Sequence, residues 1–220
     1  YKRQTLYDAG MSASLIRTKK INDFDCCTVF YSNILISITV YSIAFFISPY
    51  VSDFFGYENL NLLIKIYSLI FLIMSLSAVQ VAIFTKKMLF KKIAKINFLS
   101  TIIGLSLGVY LSLNDWGAWS VVLMLLTTEV IKTSSYLIYS QWKPKLIFSI
   151  KKFKYHFTFG YKLMLSGILN VIFKNIYNLI IGKIYEPKFL GYFERSRQLN
   201  EYPSSVSYTH LTLPTTYEVV

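Results

Sequence analysis

The chain has 220 residues, of which 54% are hydrophobic and 15% charged, and its formal net charge is +12. Soluble domains carry about 25% charged residues, so this composition argues against an ordinary soluble domain. A basic excess suits a nucleic-acid binder, but such proteins gather Lys and Arg on a folded polar surface. Here the basic residues punctuate long apolar runs, the pattern of a chain that crosses a membrane several times. The adjacent Cys26 and Cys27 supply neither a disulfide framework nor metal-ligand spacing, and read as small apolar residues beside a helix. His156 stands apart from other ligating residues, so it predicts no metal site.

Both ends differ from the body. "YKRQ" (1–4) and "VSYTHLTLPTTYEVV" (206–220) resemble translated library-adaptor sequence, and are set aside as scars. The body between them reads as an internal piece of a longer protein. "TLYDAGMSASLI" (5–16) has the look of a helix tail. A bilayer core about 30 Å thick needs about 20 apolar residues of helix, and the following segments meet or approach that length. The first covers 30–48 and is ended by Pro49. The second covers 62–84, the third 97–113, the fourth 118–140 and the fifth 158–185, which closes at Glu186-Pro187. Another helix begins at Phe189. The prediction is an all-α, polytopic transmembrane helical bundle.

Loop charges set its orientation, because Lys and Arg concentrate on the cytoplasmic side. Arg17, Lys19 and Lys20 precede the first span; Lys86, Lys87, Lys91, Lys92 and Lys95 separate the second and third; Lys143, Lys145, Lys151, Lys152 and Lys154 separate the fourth and fifth. The alternate connections hold Asp53, Glu58, Asp115 and Glu186, with Lys188 their one basic residue. Loops 17–25, 85–96 and 141–157 are therefore expected in the cytoplasm. The last of these, "QWKPKLIFSIKKFKYHF", interleaves Lys with Leu, Ile, Phe and Tyr. It is expected to lie along the headgroups with its lysines toward anionic lipid.

Charge inside a membrane costs roughly 2.5–3.5 kcal/mol at the centre of a helix and so marks protein contacts or wet cavities. Lys65, Lys162 and Lys183 lie near span ends, where long side chains reach the interface. Lys174 lies close to the middle of the fifth span. At about 100° per residue, Asn170, Lys174, Tyr177 and Asn178 share one helical face, a candidate cavity lining, although Asn also serves in interhelical hydrogen bonds. Glu129 and Lys132 are three residues apart, so they can pair on one face, as a structural ion pair or a coupling site. Gly104 and Gly108 form a GxxxG spacing suited to close helix packing.

Arg195 and Arg197 point about 200° apart on a helix. Glu194 and Glu201 flank Arg197 at helical spacing, whereas Arg195 has no carboxylate so placed. That leaves Arg195 for an external anion, and its planar fork suits phosphate oxygens.

Taken in order, "DAGMSASLIR" (8–17), "CTVFYSNILISI" (27–38), "SAVQVAIFTKKMLFKKIAKINF" (77–98), "WGAWSVV" (116–122), "QWKPKLIFSI" (141–150) and "NIYNLIIGKIYEPKFLGYFERSRQL" (175–199) resemble the polysaccharide flippases of the Wzx type. The likeness is strongest to the colanic-acid and teichuronic-acid exporter branch of the multidrug/oligosaccharidyl-lipid/polysaccharide exporter superfamily. The resemblance implies a two-lobed flippase fold, of which this chain runs from the end of helix 2 to the start of helix 8. Residues 5–140 then belong to the N-terminal lobe, 141–157 to the linker and 158–205 to the start of the C-terminal lobe. It implies passage of undecaprenyl-pyrophosphate-linked oligosaccharide units across the bacterial cytoplasmic membrane by alternating access. Arg195 falls at the family's Arg after "LGYF"; Glu194 and Arg197 depart from the family pattern. On this reading the pyrophosphate meets Arg195, Lys174 and their neighbours Asn170, Tyr177 and Asn178. The partners are the lipid-linked oligosaccharide, membrane lipids, a polysaccharide polymerase and glycosyltransferases, without nucleic acid. No cofactor is expected and no enzymatic constellation is seen.

The alternatives are a peptidoglycan lipid II flippase, whose ligand also carries pyrophosphate, and a drug or cation antiporter, which calls for cavity carboxylates. A membrane glycosyltransferase is a further alternative, but it calls for clustered acids beside the membrane, and Asp53, Glu58 and Asp115 are scattered.

Overall fold

A computed structural model describes residues 10–185 and 188–199, the side chains of Glu58 and Lys174 excepted. The adaptor-like stretches 1–4 and 206–220 lie outside the described residues, as does Glu201. The described residues are helical apart from short connections, with no strand among them. In order these are α1 (Met11–Arg17), α2 (Asp23–Phe55), α3 (Glu58–Lys86), α4 (Phe90–Leu113), α5 (Ala118–Tyr139) and α6 (Ile150–Ile184); residues 188–199 are also helical. Helices α2 to α6 are each long and apolar enough to cross a membrane. The protein is an all-α, polytopic membrane bundle.

The chain forms two compact units, Tyr1–Asn170 and Val171–Val220. In the first, α3 packs against α2 and α5, and α4 packs against α5. Small and hydroxyl-bearing residues are prominent in the interior of these contacts, beside apolar clusters around Val29, Phe30 and Val79 and around Phe84, Ile96 and Tyr136. Ser32, Asn33, Ser37, Ser48 and Ser52 of α2 are buried, whereas Leu35, Ile38, Ile43, Phe46 and Tyr50 of the same helix are exposed. Lipid is as apolar as leucine, so small side chains that let backbones approach, and hydroxyls that bond across helices, determine the packing. Ser37 Oγ donates to Ser75 Oγ at 3.0 Å across α2 and α3. Ser77 Oγ and Thr133 Oγ1 meet at 3.2 Å across α3 and α5, and Thr133 Oγ1 also reaches the Ile73 carbonyl at 3.2 Å. Each such bond contributes about 0.6 kcal/mol in a bilayer.

Two features depart from the apolar pattern. Helix α2 continues through Pro49 to Phe55 instead of ending before it. A proline at 49 cannot donate to the carbonyl of residue 45, and the Ser48 hydroxyl takes that acceptor at 2.8 Å. The same hydroxyl lies 2.8 Å from Asn61 Oδ1 of α3. The helix therefore tolerates the proline because a neighbouring side chain satisfies the orphaned oxygen. Helices α4 and α6 also start before their apolar runs, so Lys91, Lys92 and Lys95, and likewise Lys151, Lys152 and Lys154, ride on helical turns. Lysine is a good helix former, and the change from apolar to basic composition does not interrupt the hydrogen-bond ladder.

Gly104 and Gly108 are both buried on α4. A Cβ on Gly104 would stand 1.9 Å from Thr128 Oγ1 and 2.9 Å from the Met124 carbonyl oxygen; one on Gly108 would stand 2.9 Å from the Met124 side chain. The GxxxG spacing is a packing seam with α5. Gly104→Leu is expected to destabilise the protein by about 1–3 kcal/mol through overpacking, read as a lowered thermal midpoint in detergent. Gly191→Ala, where an added Cβ meets nothing within 4 Å, serves as the comparison and is expected to leave the midpoint unchanged or raise it.

Candidate functional site

In the second unit, the end of α6 and the helical residues 188–199 share a polar network. Asn178 Nδ2 donates to Asn175 Oδ1 at 3.4 Å and also to Glu194 Oε1. Arg197 Nη2 lies 3.1 Å from Glu194 Oε1 and 3.2 Å from Glu194 Oε2. Glu194 is thus occupied by Arg197 and by an amide from the neighbouring helix, the arrangement that the i, i+3 spacing allows. Arg195 is exposed and directs Nη1 toward Gln198 Oε1 at 3.5 Å; among the described residues no carboxylate lies against it. Tyr177 is 62% exposed. Asn178 Oδ1 is buried with no hydrogen-bond partner among the described residues, so it remains an acceptor without a donor. The backbone of Lys174 lies within α6, and its side chain lies outside the described part.

Asn170 is an exposed residue of α6 and the last residue of the first unit. Glu129 and Lys132 of α5 are joined at 2.6 Å, with 16% and 24% of their side chains exposed. Each neutralises the other, which offsets part of the cost of placing two charges among apolar helices.

The most buried polar cluster lies elsewhere, at the lysine-rich end of the first unit. Asp25 stands in the first turn of α2, where its Oδ2 accepts from the Asn22 backbone N–H at 3.1 Å, half of a capping box. Its Oδ1 is 2.8 Å from Lys152 Nζ and 3.2 Å from His156 Nε2. His156 Nδ1 in turn meets Ser14 Oγ of α1 at 2.9 Å. Asp25 and His156 are 0% exposed and Ser14 1%. Serine, histidine and aspartate in hydrogen-bonded order suggest a nucleophile, but a hydroxyl enclosed to this degree leaves no place for a substrate. The cluster clasps α1, α2 and the start of α6 together.

Further contacts reinforce that clasp. Residues 140–149 are not helical, and they are fastened to α2. Lys145 Nζ lies 2.5 Å from Asp23 Oδ2, and the hydrogen bond to that carboxylate pushes the Lys145 ammonium above its ordinary pKa. The Lys145 and Ser149 backbone N–H groups donate to Cys27 Sγ at 3.4 Å and to Thr28 Oγ1 at 3.1 Å. Trp142 meets Phe30 edge to face at 5.9 Å. Arg17 sits over the Phe159 ring at 4.2 Å, a cation–π contact, and Lys86 donates to the Thr18 carbonyl. A Cβ on Gly10, whose φ is +70°, would stand 2.7 Å from the Gly160 carbonyl oxygen, so both conformation and proximity call for glycine there.

Comparison with known proteins adds to this picture. A family model described as "Polysaccharide biosynthesis protein" matches residues 3–213. The chain is 23% identical over 205 residues to the teichuronic acid biosynthesis protein TuaB of Bacillus subtilis (strain 168), covering 91% of this chain and 42% of that one. It is 26% identical over 183 residues to the lipopolysaccharide biosynthesis protein WzxC of Escherichia coli (strain K12), covering 82% and 37%. With the succinoglycan biosynthesis transport protein ExoT of Rhizobium meliloti (strain 1021) it shares 21% identity over 198 residues, covering 90% and 40%. The chain spans about two fifths of the length of these curated relatives. No solved structure matches it.

Removing the carboxylate from the clasp leaves a buried imidazole and a lysine without their acceptor. Asp25→Ala is expected to cost about 1–3 kcal/mol, seen as a lower thermal midpoint of the detergent-solubilised protein, with Asp23→Ala at the exposed pair costing clearly less. Equal midpoints for the two variants contradict the clasp.

Proposed function

Because the chain belongs to the polysaccharide biosynthesis protein family, we propose that it is part of a membrane flippase. On this reading the flippase moves undecaprenyl-pyrophosphate-linked oligosaccharide units across the bacterial cytoplasmic membrane for surface polysaccharide biosynthesis. The observation that carries the reading is the division of labour between two arginines on one helix. Glu194 holds Arg197, while Arg195 is exposed and faces only a neutral amide among the described residues. A guanidinium without a carboxylate, on a helix amid apolar surfaces, suits a ligand that brings its own negative charge, and the fork fits phosphate oxygens.

In the mechanism, Arg195 and Lys174 bind the pyrophosphate, and Asn170, Tyr177 and Asn178 contribute polar groups beside it. The buried Asn178 carbonyl oxygen is an acceptor suited to a sugar hydroxyl. The oligosaccharide occupies a wet cavity between two lobes, the lipid tail stays in the bilayer, and the cavity opens to each side in turn. The lysine-rich loops face the cytoplasm. Glycosyltransferases assemble the lipid-linked unit before the flipping step, and a polymerase joins units after it. The chemistry is binding and movement, not bond making.

An antiporter for cationic drugs needs an uncommitted carboxylate in the membrane. Glu129 is held by Lys132 and Glu194 by Arg197, which speaks against that alternative. A lipid II flippase shares the pyrophosphate chemistry; the relatives named for teichuronic acid, lipopolysaccharide and succinoglycan favour a surface polysaccharide instead.

The test is Arg195→Ala in the intact protein, scored as surface polysaccharide restored to a flippase-deficient strain. Loss of a charged hydrogen-bond donor predicts export reduced about tenfold or more, at normal membrane abundance, with partial recovery in Arg195→Lys. Undiminished export in Arg195→Ala refutes the role.

A further inference from the structure

The connection between α5 and α6 divides its lysines into two sets. Lys145 and Lys152 are committed to Asp23 and Asp25. Lys143, Lys151 and Lys154 are exposed, and among the described residues no carboxylate pairs with them. Helical periodicity produces this split at the start of α6: Lys152, Phe153, His156 and Gly160 turn inward, and Ile150, Lys151 and Lys154 turn outward.

Beside the outward lysines runs a file of aromatic rings. Phe148 and Phe153 are 6.1 Å apart, Phe153 and Phe157 stack at 5.3 Å, and Phe157 and Tyr161 stack at 6.0 Å. Leu146 is 95% exposed and Ile150 77%. Phe153 is half-buried against the core of the first unit, while Phe148, Phe157 and Tyr161 carry the file to the surface, and an exposed apolar strip of this kind marks a contact surface.

The height of this surface along the bundle is fixed by its anchors. The Ser149 and Lys145 backbones bond to Thr28 and Cys27 of α2, immediately before the apolar run that begins at Phe30. The surface therefore lies where hydrocarbon gives way to headgroups, the level at which aromatic rings and lysines gather in membrane proteins.

We propose that this surface binds an anionic phospholipid of the leaflet at the lysine-rich end. Lys151 and Lys154 hold the headgroup phosphate and the aromatic file lies along the acyl chains. The occupant follows from charge and shape together: cations without protein partners stand above an apolar strip, and an anionic lipid supplies the complement of both. Clasping α6 to α2 through Lys152 and Asp25 points the other lysines outward, so protein contact and lipid contact use opposite faces of the same turns.

The experiment is native mass spectrometry of the intact protein in detergent, titrated with dioleoylphosphatidylglycerol or dioleoylphosphatidylcholine. Preferential retention of phosphatidylglycerol is expected, falling about fivefold for each of Lys151→Gln and Lys154→Gln at an unchanged thermal midpoint. Lys152→Gln is expected to do the reverse, lowering the midpoint while leaving lipid retention intact. Equal retention of the two lipids overturns the proposal, as does unchanged phosphatidylglycerol retention in the double variant. Displacement of the lipid by equimolar inorganic pyrophosphate also overturns it, because the surface then recognises a soluble phosphate group and not a membrane.

Discussion

A helix surrounded by lipid gains little from burying leucine, and that constraint orders the whole bundle. Backbone polar groups are satisfied within each helix, so what distinguishes one helix face from another is its small and hydroxyl-bearing residues. Most serines of α2 and α3, Thr133 of α5 and the two glycines of α4 occupy the interior, while most of the phenylalanines, leucines and isoleucines lie outside and Phe30, Ile70, Phe84, Ile96 and Leu111 are buried. The contrast between faces is weak, because apolar residues are abundant on both.

The same constraint decides where charge is tolerated. Inside the apolar helices the carboxylates of Glu129 and Glu194 each lie against a basic partner three residues along the same helix, which needs no tertiary structure to form. At the lysine-rich end, where water is near, the chain instead uses long-range pairs: Lys145 with Asp23 and Lys152 with Asp25. Local pairs neutralise, and distant pairs fasten one helix to another. The Asp25 cluster belongs to the second class, since it ties α1, α2 and α6 through one carboxylate.

Much of this was legible in the chain and some was not, for physical reasons. Apolar runs of spanning length and alternating loop charge are properties of local composition, so the number and order of the long helices could be read directly. The Glu194–Arg197 pair and the glycine seam were legible too, because helical spacing alone brings those residues to one face. The partner of His156 was not: Asp25 lies 131 positions away, and no local periodicity encodes such a meeting. Along the chain His156 has no ligating neighbour, and only the fold brings it one. Pro49 misled for another reason. Its effect on α2 depends on whether a neighbour can satisfy the Phe45 carbonyl, and the Ser48 side chain does so. At the arginine site, the commitment of Glu194 to Arg197 was foreseeable; the additional hold by Asn178 from α6 required the two helices to be seen side by side.

The pairing of Lys145 and Lys152 with α2 also bears on how the protein is made. Positive residues orient a nascent chain while it enters the bilayer, and acidic residues contribute little to that choice. The lysines of the α5–α6 connection and of the first turns of α6 are of the kind that acts on this choice. Once α6 settles against α2, Asp23 and Asp25 neutralise two of them. Side chains of the class that orients a nascent chain thus serve as fasteners in the finished bundle. Two positive charges of a highly basic loop are thereby kept from repelling the rest.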